Sequence, residues 1–292
     1  MAEAHDLTGE FVAELQSGSV ARVALAIARI AFPTLQGGDY LAKLDQMAEQ
    51  VRPSIIQSEP GGTRALALMQ SVRLDLGLRG NSEHYYDAAN SYLNVVIETC
   101  SGLPIMLSLI VVEIGKRLEL DVDGVGFPGH FMVRYVDEDG VWFLDPFHGA
   151  VMTPEDVPAY FLKLFGQSTL LMDEAYFTPF PLDAWAQRIL NNLHAAYLNA
   201  GDVELLAKLL PMMLVLEPNR QEVWRELGLV EYRRGELTRA ARALRRFFYL
   251  QGHLILVPPN TSVPPAPPLL EGTDLQLWTL LEEIELARTR WN

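Results

Sequence analysis

CSGLPIMLSLIVVEIGKRLELDVDGVGFPGHFMVRYVDEDGVWFLDPF, residues 100–147, is the stretch from which the fold follows. Pro104 stands just after Gly102-Leu103, where proline is favoured in the first turn of a helix. From Ile105 to Leu118 the residues are apolar almost all round, so this helix is expected to be buried on most of its circumference. After Glu119 the period changes. VDGVGF, HFMVRYV and VWFLDPF are short runs rich in Val and aromatics, separated by Pro128-Gly129 and Glu138-Asp139-Gly140, which predicts antiparallel strands joined by hairpins. Along HFMVRYV, His130, Met132, Arg134 and Val136 share one face, with His130 beginning the more polar side. Asp145 ends the next strand, because Pro146 cannot continue a central ladder. Helix start, histidine and carboxylate thus follow one another in the order a thiol-based catalytic site requires. Such a site needs a cysteine at a helix N-terminus, where the macrodipole lowers its pKa, a histidine as base, and a carboxylate that holds the histidine's tautomer. Pro104 occupies the position where that cysteine is expected.

Before this segment the pattern is helical. Apolar residues between Phe11 and Ile30 recur at helical spacing and predict one or two short helices; Tyr40 to Val51 predicts another, ending at Pro53, and Thr63 to Leu76 a third, ended by Gly77 and Gly80. Asp87 and Asn90 are candidate N-caps for a short helix through Tyr92, Val95 and Val96. Tyr85, Tyr86 and Tyr92 read as packing residues with hydroxyls at the rim. Downstream, Thr153-Pro154 followed by acids predicts a helix start. Pro179 and Pro181 mark a domain boundary near residue 180. Beyond it, LHAAYLNAGDVELLAKLLPMMLVLEPN and LGLVEYRRGELTRAARALRRFFYLQGH superpose with a shift of 34 residues, aligning Leu193 with Leu227, Gly201-Asp202 with Gly235-Glu236, and Ala207 with Ala241. That is the tetratricopeptide period, with small residues where paired helices cross. Residues 258–268 read as a semi-rigid proline-rich linker, and residues 274–290 as a last helix capping the repeat stack.

Composition bounds the function. The chain has 292 residues, about half of them apolar, enough for one large core or two modest ones. No segment approaches 18 uninterrupted apolar residues, and MAEAHDLTGEF lacks the basic-then-apolar profile of a signal peptide, so a soluble, cytoplasmic protein without a membrane span is expected. One cysteine excludes an intramolecular disulfide and disfavours a thiolate zinc site. A formal charge of -14 disfavours nucleic acid. A local exception is the run Arg233, Arg234, Arg239, Arg242, Arg245 and Arg246, for which ion pairs with neighbouring acids are the expectation.

The blocks Gly102-Leu103-Pro104, His130-Phe131 and Asp145-Pro146 resemble the transglutaminase-like core, in which Gly-x-Cys opens a helix, His begins the next strand and Asp-Pro closes the one after. More closely, NSYLNVV, SGLPIMLSL, GVGFPGHFMVRY, FLDPF and RILNNLHAAY, from about Asn90 to Tyr197, resemble the bacterial SirB family. The resemblance implies an α+β class fold: a transglutaminase-like (papain-like) core with a helical N-terminal segment, followed by an all-α tetratricopeptide-like region. The expected division is 1–180, helical over 1–100 with its core at 100–150, and 181–292. In that family too the usual cysteine position is proline, and no settled activity accompanies it.

The candidate catalytic residues are therefore His130, Asp145 and Cys100. Cys100 lies four residues before Pro104 and reads most simply as a small, partly buried hydrophobe. Ser101 is near the turn, and Ser108, one turn inside the helix, is expected to bond a carbonyl. His148, three residues beyond Asp145, would join it in a metal site only with a third ligand, and none stands at a recognisable spacing, so neither metal nor cofactor is expected. Asp137, Glu138 and Asp139 read as a solvated hairpin tip. Two functions follow as expectations. One is a non-catalytic protein that binds a protein or peptide partner through a tetratricopeptide groove. The other is a cysteine-dependent hydrolase or acyl transferase using Cys100, His130 and Asp145.

Overall fold

The computed structural model describes residues 6–166, 173–254 and 270–290. It divides into two compact units, residues 1–196 and 197–292. The linker expected over 258–268 lies outside the described residues.

The first unit opens with α1 (Leu7–Gln16) and α2 (Val20–Ala28), capped by the side chains of Asp6 and Ser19, so the segment expected to be one or two helices is two. Helix α3 (Gly37–Gln57) runs through Pro53 instead of stopping before it. An interior proline costs about 3 kcal/mol. The buried stripe Leu44, Ala48 and Val51 continues to Ile55 beyond the proline, and burying an isoleucine returns about 2 kcal/mol. Helix α4 (Gly62–Gln70) passes into a wide π turn over Ser71–Asp75, and Gly77 at φ 74° terminates it, as the sequence predicts.

A short strand β1 (Arg79–Gly80) precedes a 3-10 turn at Ala88–Ser91, helix α5 (Leu93–Thr99) and strand β2 (Ser101–Gly102), which pairs in parallel with β1. Asp87 caps the 3-10 turn through the Ala89 N–H at 2.9 Å. Asn90 does not cap a helix. Its buried amide donates to the carbonyls of His84 and Tyr85 (2.6 and 3.2 Å) and accepts from Asn81 (2.9 Å), pinning the loop ahead of α5.

Helix α6 (Pro104–Arg117) is buried along nearly its whole length, from Pro104 to Gly115. Beside it β3 (Asp121–Phe127), β4 (His130–Asp137), β5 (Gly140–Asp145) and β6 (Ala150–Met152) form an antiparallel meander in chain order. The register pairs Phe127 with His130, Val133 with Leu144, and Asp145 with Ala150. Alternation along the strands sends Val125, Phe127, Met132 and Phe143 to one face, where they pack with Val157 and Phe161 of α7 (Val157–Phe165). Val122, Phe131 and Tyr135 take the other face. There Gly115 of α6 lies so close that an added Cβ would sit 2.4 Å from Val122.

Trp185, near the start of α8 (Leu182–Ala200), closes this second face with its ring 4.4 Å from that of Phe131. The expected boundary near residue 180 falls in the loop before α8, whereas the compact units divide inside the helix at 196/197. The reason is that Trp185, Ala186, Ile189 and Leu190 are core residues at or below 2% exposure.

The hairpin tip between β4 and β5 is not simply solvated. Asp137 accepts from the Tyr135 hydroxyl (2.6 Å) and from the backbone N–H groups of Gly61 (2.5 Å) and Asp139 (3.0 Å), tying the tip to the chain entering α4. Burial pushes the Asp137 carboxyl up, but these donors outweigh it and hold it below the usual carboxylate range.

The second unit contains α9 (Val203–Leu216), α10 (Gln221–Arg233), α11 (Leu237–Leu250) and α12 (Gly272–Arg290). Phe247, Phe248, Leu254, Leu277, Trp278 and Leu281 share one core. Gly228 of α10 would place a Cβ 2.7 Å from Leu244, so the helices cross at a small residue. In the arginine run, Arg234 pairs with Glu204 and Glu231 (3.0 and 2.7 Å) and Arg245 with Glu285 (2.7 Å). Among the described residues no helix is long and apolar enough to cross a membrane.

Two outcomes check this packing. Gly124→Ala would place a methyl 2.0 Å from the Trp185 ring. It is expected to lower the unfolding free energy by about 1–3 kcal/mol in urea titration. Asp137→Asn removes a carboxylate whose folded pKa is depressed, so its contribution is present above the unfolded value near about 4 and is lost as pH falls through the folded value. The stability gap between wild type and Asp137→Asn should accordingly narrow below about pH 4 in denaturation series run from neutral to acid pH.

Candidate functional site

Asp145 closes β5, and the turn Pro146-Phe147-His148-Gly149 returns the chain to β6, with the Gly149 N–H donating to the Asp145 carbonyl at 2.7 Å. The Asp145 side chain is completely buried. A buried carboxylate is costly unless paired, and here every lone-pair direction is used. Oδ1 accepts the backbone N–H groups of Phe147 (2.9 Å) and His148 (3.2 Å). Oδ2 lies 2.7 Å from His130 Nε2, 2.8 Å from His148 Nδ1 and 2.8 Å from the Tyr160 hydroxyl, which donates to it. Burial by itself would raise the Asp145 carboxyl. The hydrogen bonds and positive character of the two histidines overcome that and hold it far below the usual carboxylate range. The Tyr160 hydroxyl is driven far up by burial first, and then by the negative charge and hydrogen bond of Asp145, so it stays a donor.

His130 begins β4 at 3% exposure, and its ring packs against those of Phe147, Phe161 and Phe165 at 5.9–6.4 Å between centroids. With Nε2 given to Asp145, the tautomer that donates there leaves Nδ1 as an acceptor. Arg188 of α8 holds the backbone at this point: its Nη2 donates to the His130 carbonyl at 2.8 Å and its guanidinium lies over the Phe131 ring at 5.2 Å. Burial pushes the Arg188 guanidinium down. Arg73 donates to the Pro146 carbonyl at 3.3 Å and so braces the other side of the turn.

The start of α6 is brought beside this cluster by the β1–β2 pair. Gly80, paired with Gly102, lies flat against the Phe147 ring, where a Cβ would come within 2.6 Å. Pro104 fills the first turn of α6. Cys100 caps α5 in the left-handed conformation at φ 53°, and its half-buried sulfur lies 3.8 Å from the Ile97 carbonyl of that helix. The structure therefore joins two of the three candidate residues, His130 and Asp145, directly. The third is turned toward its own helix. Ser108 bonds a carbonyl, as expected, but that of Phe131 on β4 (3.5 Å), across the helix–sheet interface and not within α6. Tyr85 packs its ring 6.0 Å from Phe147, while Tyr86 is 79% exposed. A cleft of about 390 Å³ lies elsewhere, between α1, α2 and the start of α3, with Glu10, Glu14, Arg22 and Arg29 on its walls.

Tyr160 and Arg188 are members of the site that residue spacing did not single out. Tyr160 and Arg188 come from helices 15 and 43 residues beyond Asp145, and no local motif links them to it. His148 was visible as a neighbour of Asp145, but its companion His130 is 15 residues upstream and meets it only through strand pairing.

A helix packed on an antiparallel sheet, with histidine and aspartate joined across neighbouring strands, is the arrangement the resemblance leads one to expect. Residues 38–191 match the transglutaminase-like superfamily. Over 246 residues the chain is 32% identical to the UPF0162 protein of Xylella fastidiosa (strain 9a5c), spanning 80% of this chain and 87% of that protein. The chain therefore belongs to the transglutaminase-like superfamily, within a bacterial group that includes the UPF0162 proteins. The UPF0162 protein PA3419 of Pseudomonas aeruginosa is 26% identical over 224 residues, covering 74% of this chain and 82% of its own. Human F-box only protein 21 is 35% identical over 74 residues, a quarter of this chain (25%) and 12% of the human protein.

Asp145→Ala would leave two imidazole N–H groups, a hydroxyl and two backbone donors facing an apolar side chain. It is expected to cost about 3 kcal/mol or more in urea denaturation. Cys100→Ala, removing a half-buried thiol with one weak contact, is expected to stay within about 1 kcal/mol of wild type in the same measurement.

Proposed function

We propose that this chain is a non-catalytic, cytoplasmic protein of the SirB type: a transglutaminase-like core that keeps its histidine–aspartate pair without a nucleophile, followed by tetratricopeptide helices that hold a protein or peptide partner. The observation that carries the reading is the first turn of α6. Pro104 stands there, and the sulfur of Cys100 lies on the Ile97 carbonyl of α5. A thiol must sit within hydrogen-bond reach of its base to be activated. With the ring of His130 bonded to Asp145 at 2.7 Å and no thiol in the first turn of α6, the pair serves to tie β4 to the β5–β6 turn.

Support for the repeat reading comes from equivalent positions one period apart. Gly201 and Gly235, 34 residues apart, both take positive φ (66° and 77°) between successive helices. Asp202 and Glu236, the residues that follow them, occupy the N-cap positions of α9 and α11. Helix pairs in such stacks present a concave surface suited to an extended or helical segment of a partner. The single cysteine fits a reducing compartment.

The geometry of His130 and Asp145 favours one competing reading, a thiol hydrolase or acyl transferase with Cys100 as nucleophile. Iodoacetamide labelling separates the two. At pH 6 an ordinary thiol of pKa near about 8.5 scarcely reacts, whereas an activated thiolate does. Labelling of Cys100 at the rate of free cysteine is expected, together with no peptidase or transamidase turnover. Turnover abolished by Cys100→Ala would overturn the non-catalytic reading.

A further inference from the structure

The cluster around Asp145 has a second property that its role as a strand tie does not require. Three donors converge: His130, Asp145 and His148 each bring one ligand atom within 4.8 Å of the others, with His130 Nε2 and His148 Nδ1 at 2.7 and 2.8 Å from Asp145 Oδ2. We propose that these three residues form a binding site for one divalent transition-metal ion, Zn²⁺ on the chemistry of the donors. The inference goes beyond the functional reading above and stands whichever way the thiol question is answered.

Two imidazoles and a carboxylate are the donor set of three-ligand zinc sites, which keep a fourth position for water or another group. Zinc–nitrogen and zinc–oxygen distances near about 2.0–2.2 Å put tetrahedral ligand atoms roughly 3.3–3.5 Å apart. The histidine–carboxylate edges are now 2.7 and 2.8 Å, as hydrogen bonds demand, so they need to open by about 0.5–0.8 Å to admit the ion. His148, on a turn with 36% of its side chain accessible, opens its own edge by swinging outward, while the edge between His130 and Asp145, at 3% and 0% exposure, opens by a small rotation of those side chains within the core. The exposure of His148 supplies the entry path.

The surroundings also suit a metal. A ligating carboxylate needs its other oxygen oriented, and Asp145 Oδ1 is held by the N–H groups of Phe147 and His148. Each imidazole needs its lone pair turned inward, which is met when the ring proton sits on Nδ1 of His130 and on Nε2 of His148. The Tyr160 hydroxyl, 2.8 Å from Oδ2, is placed to hydrogen-bond the ligating oxygen or a water in the fourth position. Phe147, Phe161 and Phe165 around His130 form an apolar wall that strengthens the attraction of the ion for its one anionic ligand.

The site was not visible as a motif because its third ligand does not follow from spacing. His148 and Asp145 are three residues apart, but His130 reaches them only through the pairing of β4 with β5.

The test uses the full chain, stripped with EDTA and exchanged into metal-free buffer. Titration with ZnCl₂ by calorimetry is expected to show one equivalent bound, and CoCl₂ to give the visible d–d bands of a low-coordinate nitrogen–oxygen site. His148→Ala, an exposed position whose folding is checked by circular dichroism, is expected to weaken Zn²⁺ by at least about tenfold and to abolish the cobalt bands. His253→Ala, in the other compact unit, is expected to leave both unchanged. Absence of saturable binding by the wild-type chain, or binding that His148→Ala leaves intact, would overturn the proposal.

Discussion

A single carboxylate oxygen organises the core of the first unit. Asp145 Oδ2 receives a ring nitrogen from the start of β4, a second ring from the turn after β5, and a hydroxyl from α7. Three separate segments are thus held by one atom with no exposure to solvent. In such a place two effects oppose each other: burial pushes the carboxyl up, and the hydrogen bonds and charges of the two histidines bring it below the usual carboxylate range. The strands must therefore keep their register, since a shift by one residue would turn His130 to the opposite face of the sheet.

That constraint explains why supporting residues come from far along the chain. Arg188 fixes the carbonyl of His130 and Arg73 the carbonyl of Pro146, so the two ends of the network are braced by guanidinium groups on helices. Phe147 fills the space above Gly80, where only a glycine lets the ring approach. The β1–β2 pair then lays the first turn of α6 beside the cluster. The cluster lies within a transglutaminase-like domain, and the side chain that starts α6 is a proline. A superfamily assignment fixes the frame and leaves the chemistry to the individual positions.

Much of this frame was legible before any coordinates. The buried helix at 104–117, the change to period two after Glu119 and the hairpin signals placed α6 and the strands, because apolar periodicity reports burial directly. His130 and Asp145 were readable as a pair because one begins a strand and the other ends the next, just before Pro146. The misjudged details have local causes. Pro53 predicts a stop because a proline breaks a helix in isolation, yet the apolar stripe runs past it to Ile55. The hairpin position of Asp137 predicts a solvated carboxylate, yet Gly61 and Tyr135 come to meet it.

The sequence by itself determined which segments are buried, where they turn, and that a histidine would begin one strand and an aspartate end the next, after a helix without an N-terminal cysteine. Those properties are encoded in spacings of two and about four residues. Only the tertiary structure decided that Tyr160, His148 and Arg188 would join them and that the sulfur of Cys100 would turn to Ile97. The Tyr160 and Arg188 contacts link residues 15 and 58 positions apart, and they are settled by strand register and helix packing, which leave no periodic mark in the chain.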